Sequence, residues 1–274
     1  MARIRSTRKR HALLAALLAL TMLISTACDV AVAGRRCSGS GFGRDGTHIL
    51  QCKNRKWTRL MTFQQYADLA AKVKAEEARA ASSAARAEVT AGTSAWVDVW
   101  DWSPTFVGSK SPGAVPPFTL ARIDAMAANG IQALWIQTAR AEFPTDVLDR
   151  ALLGQIIARA RSRGMKVFAW YLPTFQDPAV DRNLLALSAG LGVDGVGVDI
   201  EDTSVELVTR NTRLVELSQW LRAAYPSLPL GAIVLPPVVT DVINLNYWPQ
   251  FPWAQLAPLY DVWMPMGYWT NRTP

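Results

Sequence analysis

From about residue 95 onward, short and nearly continuous apolar runs alternate with longer segments whose apolar positions recur every three or four residues. The first pattern marks strands buried on both faces, and the second marks amphipathic helices. Strands are predicted over 95–102, 131–138, 165–172, 193–200, 230–235 and 261–268. Helices fall between them: 119–129, opened by Thr119 and stopped by Gly130; 146–163, with Leu148, Leu152, Ile156 and Ala160 on one face and Gly164 after it; a third from Asp177-Pro178 to Gly190; and a long one over 204–224. Strand and helix in strict alternation imply a parallel α/β sheet, and amphipathic helices between successive strands favour a TIM-type (β/α)8 barrel. A doubly wound sheet is the rival. No glycine-rich nucleotide fingerprint follows the first strand, where Trp100-Asp101-Trp102-Ser103-Pro104 stands instead. About six strands occupy 95–274, whereas an eight-unit barrel takes ~250 residues. Two βα units are therefore expected to be missing from an incompletely represented barrel.

Upstream the pattern changes. Residues 62–89 are rich in Ala, Glu, Lys, Arg and Gln with four basic and four acidic side chains, which predicts a spacer helix that frays at Ser82-Ser83. The start of the chain carries Arg3, Arg5, Arg8, Lys9 and Arg10 before an apolar run over 12–24, the layout of an export signal and shorter than the roughly 20 residues a bilayer span requires. Ser25-Thr26-Ala27-Cys28 resembles a lipoprotein cleavage site with Cys28 as the acylated residue, and Ala31-Val32-Ala33 fits an ordinary signal peptidase site; both remain open. The organisation read from the chain is a leader over 1–33, a cysteine segment over 34–60, a helical linker over 61–94 and a barrel over 95–274.

Composition sharpens this. Of 274 residues, 50% are hydrophobic and the formal net charge is +7, so one sizeable core is expected and disorder is excluded. The excess charge is segregated: 34–60 has seven basic residues against Asp45, while 91–274 has 13 basic and 16 acidic. The basic segment is either a surface for anionic envelope polymers or lipid headgroups or a solvated stretch. Nucleic acid is not an expected partner, since Trp57 alone is no stacking platform. Gly39 to Gly43 reads as a turn rather than a phosphate loop. With Cys28 set aside, Cys37 and Cys52 form an even pair in an exported chain and are expected to make one disulfide. All histidines and cysteines lie within the first 52 residues. The barrel therefore has no Ser/His/Asp triad, Cys/His pair or His/Cys zinc site, and no cofactor or metal is expected.

What remains is carboxylate chemistry. The fourth strand and its end read Val193-Asp194-Gly195-Val196-Gly197-Val198-Asp199-Ile200-Glu201-Asp202. Strand alternation puts Gly195, Gly197, Asp199 and Glu201 on one face and Val196, Val198 and Ile200 on the other. Two neighbouring carboxylates at the C-terminal end of a barrel strand resist simultaneous ionisation, which raises one pKa and supplies a proton donor. Asp202 reads as a helix cap or supporting group, Glu142 as a solvated charge. A divalent cation held by Asp199, Glu201 and Asp202 is a further reading of the same residues, without a fuller ligand set.

Asp194-Gly195-Val196-Gly197-Val198-Asp199-Ile200-Glu201 resembles the Asp-Gly-x-Asp-x-Asp-x-Glu strand of chitinase-like family 18 glycoside hydrolases, with glycine at the middle aspartate, and Met266-Gly267-Tyr268 resembles that family's Met-x-Tyr segment. No Ser-x-Gly-Gly appears on the third strand. The resemblance implies Glu201 as general acid/base, Asp199 orienting the substrate N-acetyl group and Tyr268 hydrogen-bonding the same group, the substrate-assisted route. Family 25 lysozymes also carry Asp-x-Glu on a barrel strand. Near strand ends, Trp102, Tyr171 and Trp269 are candidates to stack on sugar rings, and Asp101 either lines the cleft or caps a turn. The expected function is thus an exported envelope glycosidase acting on an N-acetylhexosamine polysaccharide; the alternative is a non-catalytic sugar-binding or scaffold lipoprotein.

Overall fold

The computed structural model describes residues 31–39 and 41–267. The leader with Cys28, and Tyr268 and Trp269, lie outside the described residues. Contacts divide the chain into two compact units that meet between Ala81 and Ser82.

In the first unit, β1 (Phe42–Arg44), β2 (His48–Lys53) and β3 (Lys56–Thr62) form an antiparallel sheet. Positive φ at Asn54 (52°) and Arg55 (60°) makes the two-residue β2–β3 connection the primed kind that matches strand twist. Cys37 and Cys52 form the expected disulfide, with Cα atoms 5.9 Å apart. Ile49 and Leu50 are buried. The segment expected as a turn therefore enters a strand at Phe42, a sheet too short and too polar for its alternation to show in the sequence.

Helix α1 (Phe63–Val89) has no buried residue and runs unbroken through Ser82-Ser83, where fraying was expected. The reason is tertiary. Within the second unit, Asp261 accepts hydrogen bonds from Ser83 Oγ (2.9 Å) and Arg86 Nε (3.0 Å), and Arg86 also donates to Ser82 Oγ (2.6 Å).

The second unit is built on six parallel strands: β4 (Ser94–Val97), β5 (Ala133–Gln137), β6 (Lys166–Tyr171), β7 (Gly195–Ile200), β8 (Leu230–Val234) and β9 (Val262–Pro265). They lie side by side in chain order. A doubly wound sheet would reverse direction in that order; a sheet wound one way, strand after strand, is a barrel wall. Edge strands β4 and β9 curl toward a common cavity of about 490 Å³ lined by Trp96, Trp135, Ile233, Val262 and Met264. The fold is an incomplete TIM barrel.

The connections are α2 (Val99–Trp102), α3 (Pro104–Lys110), α4 (Leu120–Ala128), α5 (Arg150–Ser162), α6 (Pro178–Ala189), α7 (Leu207–Ala224), a π-helical turn Val239–Ile243 and α8 (Trp253–Leu256). Val196, Val198 and Ile200 of β7 are fully buried against this layer with Leu184, Leu185, Leu214 and Leu217. Three expected elements are corrected. The helix expected from 146 begins at Arg150, after Asp149 takes a left-handed backbone (φ 38°), which leaves Leu148 outside it. The first strand stops at Val97, because Asp98 accepts from the N–H groups of Trp100 (2.7 Å) and Asp101 (3.2 Å) and starts a helix. The long fourth helix begins at Leu207 rather than 204, because Glu206 accepts from Val208 and Thr209 as its cap, while Asp202 closes a local turn onto Ser204 (2.8 Å). Asp177 caps α6 as expected, accepting from Ala179 (2.8 Å).

Candidate active site

The inward face of β7 carries Gly195, Gly197 and Asp199, and Glu201 follows the strand at its C-terminal end. The glycines are required by what they face. A β-carbon at Gly195 would lie 2.8 Å from the Phe168 ring, and one at Gly197 would lie 2.9 Å from Ile233 Cδ1 and 3.0 Å from Trp135 Cζ3. Across the sheet, a β-carbon at Gly231 would lie 3.3 Å from Trp135. Trp135 stacks on Phe168 at 4.4 Å and on Trp96 at 5.0 Å. Glycines on two strands thus admit rings from two others, and the lower barrel is filled with aromatic carbon.

Asp199 sits above this layer. It is 5% exposed, and its buried Oδ1 has no hydrogen-bond partner among the described residues. Burial, then the charge of Glu201, pushes its pKa up to about 8, and the Arg140 guanidinium only partly opposes them. Glu201 is half-buried, and its pKa is also raised, first by burial and then by Asp202. The two carboxyls titrate as a pair that retains a proton at neutral pH. Trp170 Nε1 is a second buried polar atom without a partner among the described residues, on the strand adjacent to β7. An acceptor on Asp199 and a donor on Trp170, both unsatisfied, suit a ligand that brings both kinds of group.

Two residues near the pair were not singled out in the sequence. Arg140, in the loop after β5, lowers the pKa of both carboxyls and is itself held by Glu142 at 3.1 Å. Tyr247, after the π-helical turn, has its pKa raised by burial and then by Glu201. Its neighbour Trp248 fixes that loop, packing on Phe175 and under the Arg210 guanidinium at 4.1 Å and donating to Asn211 Oδ1 at 2.7 Å. The adjacency of β8 to β7 was the available signal for Tyr247; nothing in the local sequence distinguished Arg140.

Other predicted site residues do not join the pair. Trp102 is fully buried in α2 and donates from Nε1 to the Gln137 carbonyl (2.9 Å), and Tyr171 is fully buried with its hydroxyl donating to Asp181 Oδ1 (2.7 Å). Neither has a ring face free for a sugar, which corrects their assignment as stacking residues. Asp101 accepts from the Asp98 N–H (3.2 Å) as the partner in a capping box, so of its two readings the cap is the one realised. Asp194 of the motif lies at the opposite end of β7, accepting from Val167 N–H (2.8 Å). Glu142 bridges Arg140 and Lys110. Among the described residues, no group of three or more His, Cys, Asp or Glu side chains is placed to hold a metal ion, and no helix is long and apolar enough to cross a membrane.

No protein-family model matches the chain, and no curated protein matches its sequence. Among solved structures it is similar to the spore cortex-lytic enzyme SleL of Bacillus cereus (12% identity, 66% of this chain and 43% of that one, TM-score 0.45). It is also similar to a chitinase from Bacteroides thetaiotaomicron (12%, 66% and 55%, 0.43) and to 3-dehydroquinate dehydratase from Enterococcus faecalis (12%, 51% and 57%, 0.36). The chain spans about half the length of each of these three structures. At such identities these likenesses concern the fold and leave the chemistry to the site itself.

Proposed function

We propose that this chain is an exported glycoside hydrolase of the cell envelope acting on an N-acetylhexosamine-containing polysaccharide. The observation that carries the reading is the buried, unpartnered Oδ1 of Asp199 beside the half-buried Glu201 at the end of β7. In this mechanism the substrate acetamido N–H donates to Asp199 Oδ1. A donor there favours the ionised form of Asp199, and its negative charge keeps the proton on Glu201. Glu201 then protonates the glycosidic oxygen while the acetamido carbonyl oxygen attacks the anomeric carbon and the leaving sugar departs. Glu201 next takes a proton from the water that opens the cyclic intermediate. Tyr268 would hydrogen-bond the acetamido oxygen and Trp269 would stack on a ring, as the family resemblance implies. The Cys37–Cys52 disulfide suits an oxidising compartment outside the cytosol, in keeping with the leader over 1–33 and with anchoring through Cys28 as the finer version.

The test compares N-acetylglucosamine oligomers with the same oligomers after N-deacetylation. The reading expects reducing ends to be released from the acetylated set only; equal cleavage of both would remove the acetamido group from the mechanism. Gly197, which stands where the resembled family has its middle aspartate, motivates a second reading, a non-catalytic sugar-binding barrel. Saturable binding of acetylated oligomers with no release of reducing ends would favour it.

A further inference from the structure

The first unit gathers positive charge at one end without neutralising it. In the antiparallel register Lys53 lies directly opposite Lys56, and Arg36 forms a bridge pair with Lys56 on its other side. Arg55 occupies the turn between them, and the Cys37 N–H donates to its carbonyl (3.1 Å), which brings Arg35 and Arg36 alongside the hairpin. All five side chains are exposed, and none forms an ion pair among the described residues. Asp45, the one acidic residue of 34–60, is engaged elsewhere by Arg59 (3.1 Å) and by the N–H groups of Thr47 and His48. Like charges directly opposite on paired strands destabilise a sheet, so this arrangement works against the unit's own stability.

We propose that the hairpin tip of Arg35, Arg36, Lys53, Arg55 and Lys56 is a docking surface for anionic lipid headgroups. Charge complementarity requires an anionic partner, and chain continuity selects the membrane. With Cys28 acylated, one of the two readings of the leader, the lipid-bearing residue stands seven positions before Arg35, which keeps the tip within a short length of chain from the bilayer. Val32 and Leu60 of the same unit are exposed apolar side chains, suited to the interfacial region of a bilayer.

The experiment measures partition of the full chain to vesicles of phosphatidylcholine alone and of phosphatidylcholine with 30% phosphatidylglycerol. The ratio of the two coefficients cancels what a lipid anchor on the chain adds to both. Replacing Arg36→Glu, Lys53→Glu and Lys56→Glu together leaves like charges facing one another, so folding is little changed, and intact disulfide and circular dichroism verify it. The variant is expected to lower the ratio about 100-fold. A control carrying Lys72→Glu, Lys74→Glu and Arg79→Glu, an equal charge change on α1, is expected to leave the ratio near wild type. An unchanged ratio in the hairpin variant, or an equal fall in the control, would overturn the proposal. So would retention on immobilised polyphosphate without preference for the anionic vesicles, which would make the partner a soluble polyanion.

Discussion

Gly197 and Trp135 are complementary across the barrel interior: the indole of Trp135 fills the space in which a side chain at 197 would begin, 3.0 Å from the ideal β-carbon position. Where the resembled strand pattern has an aspartate, this chain has substituted an aromatic ring from β5. The carboxyl pair is therefore tuned chiefly by burial, with Asp202 adding to the rise at Glu201 and no acid at 197. Gly197→Ala is expected to cost about 1–3 kcal/mol in chemical denaturation, and Gly197→Asp more, because its charge would be buried without a partner. Combining Gly197→Ala with Trp135→Phe should recover part of the loss. Additive costs would contradict the packing argument.

The raised pKa of Asp199 has a defined sign for stability. Below about pH 4 the group is protonated in both folded and unfolded chains; between about 4 and 8 the unfolded chain releases a proton that the folded one keeps. Stability therefore falls as pH rises through this window and levels off above it, with Glu201 acting in the same direction and Arg140 opposing both. Asp199→Asn should flatten that slope and be more stable than wild type at pH 8 by at least about 2 kcal/mol. Unfolding curves at pH 5 and pH 8 check it.

At the other end of the barrel, Asp261 binds Arg222 (2.7 Å) and Arg86 (2.9 Å) and accepts from the Leu230 N–H (3.0 Å), with its side chain 1% exposed. Asp261→Ala would leave two guanidinium groups without their carboxylate and is expected to cost about 3–5 kcal/mol. Limited proteolysis should then find new cleavage within 82–86, the stretch Asp261 holds through Ser83 and Arg86, while Lys166 still donates to the Val89 carbonyl (2.6 Å).

Tyr171 is a structural residue in this account. Tyr171→Phe removes the donor to Asp181, which keeps the N–H groups of Thr174 (3.3 Å) and Phe175 (3.0 Å). A cost of about 1–2 kcal/mol is expected, with oligosaccharide affinity unchanged. A selective loss of affinity at unaltered stability would mean that the hydroxyl, and not only Asp181, meets the ligand.

The barrel was legible because its central strands are buried on both faces and its helices on one, so Val196, Val198 and Ile200 report their layer through periodicity alone. Asp199 and Glu201 were legible because alternation and strand-end position are local properties. Trp102 and Tyr171 misled because strand-end aromatics look alike in sequence whether they point to a cleft or, as here, donate to Gln137 and Asp181. Arg140 and Tyr247 were missed because their nearness to the pair depends on which loops the sheet order brings together. The three-stranded sheet was missed for a different reason: β2 and β3 are joined by a two-residue turn and present only a short apolar stripe, while the disulfide ties β2 to the segment ahead of β1.

The most direct measurement of the central claim is the turnover of N-acetylglucosamine oligomers and peptidoglycan fragments by the full-length protein and by Glu201→Gln, an isosteric change that removes the proton donor. The account predicts measurable release of reducing ends by the wild type and a loss of about 10²–10⁴-fold in the variant, with the unfolding midpoint little altered. Hydrolysis by Glu201→Gln at the wild-type rate would contradict it.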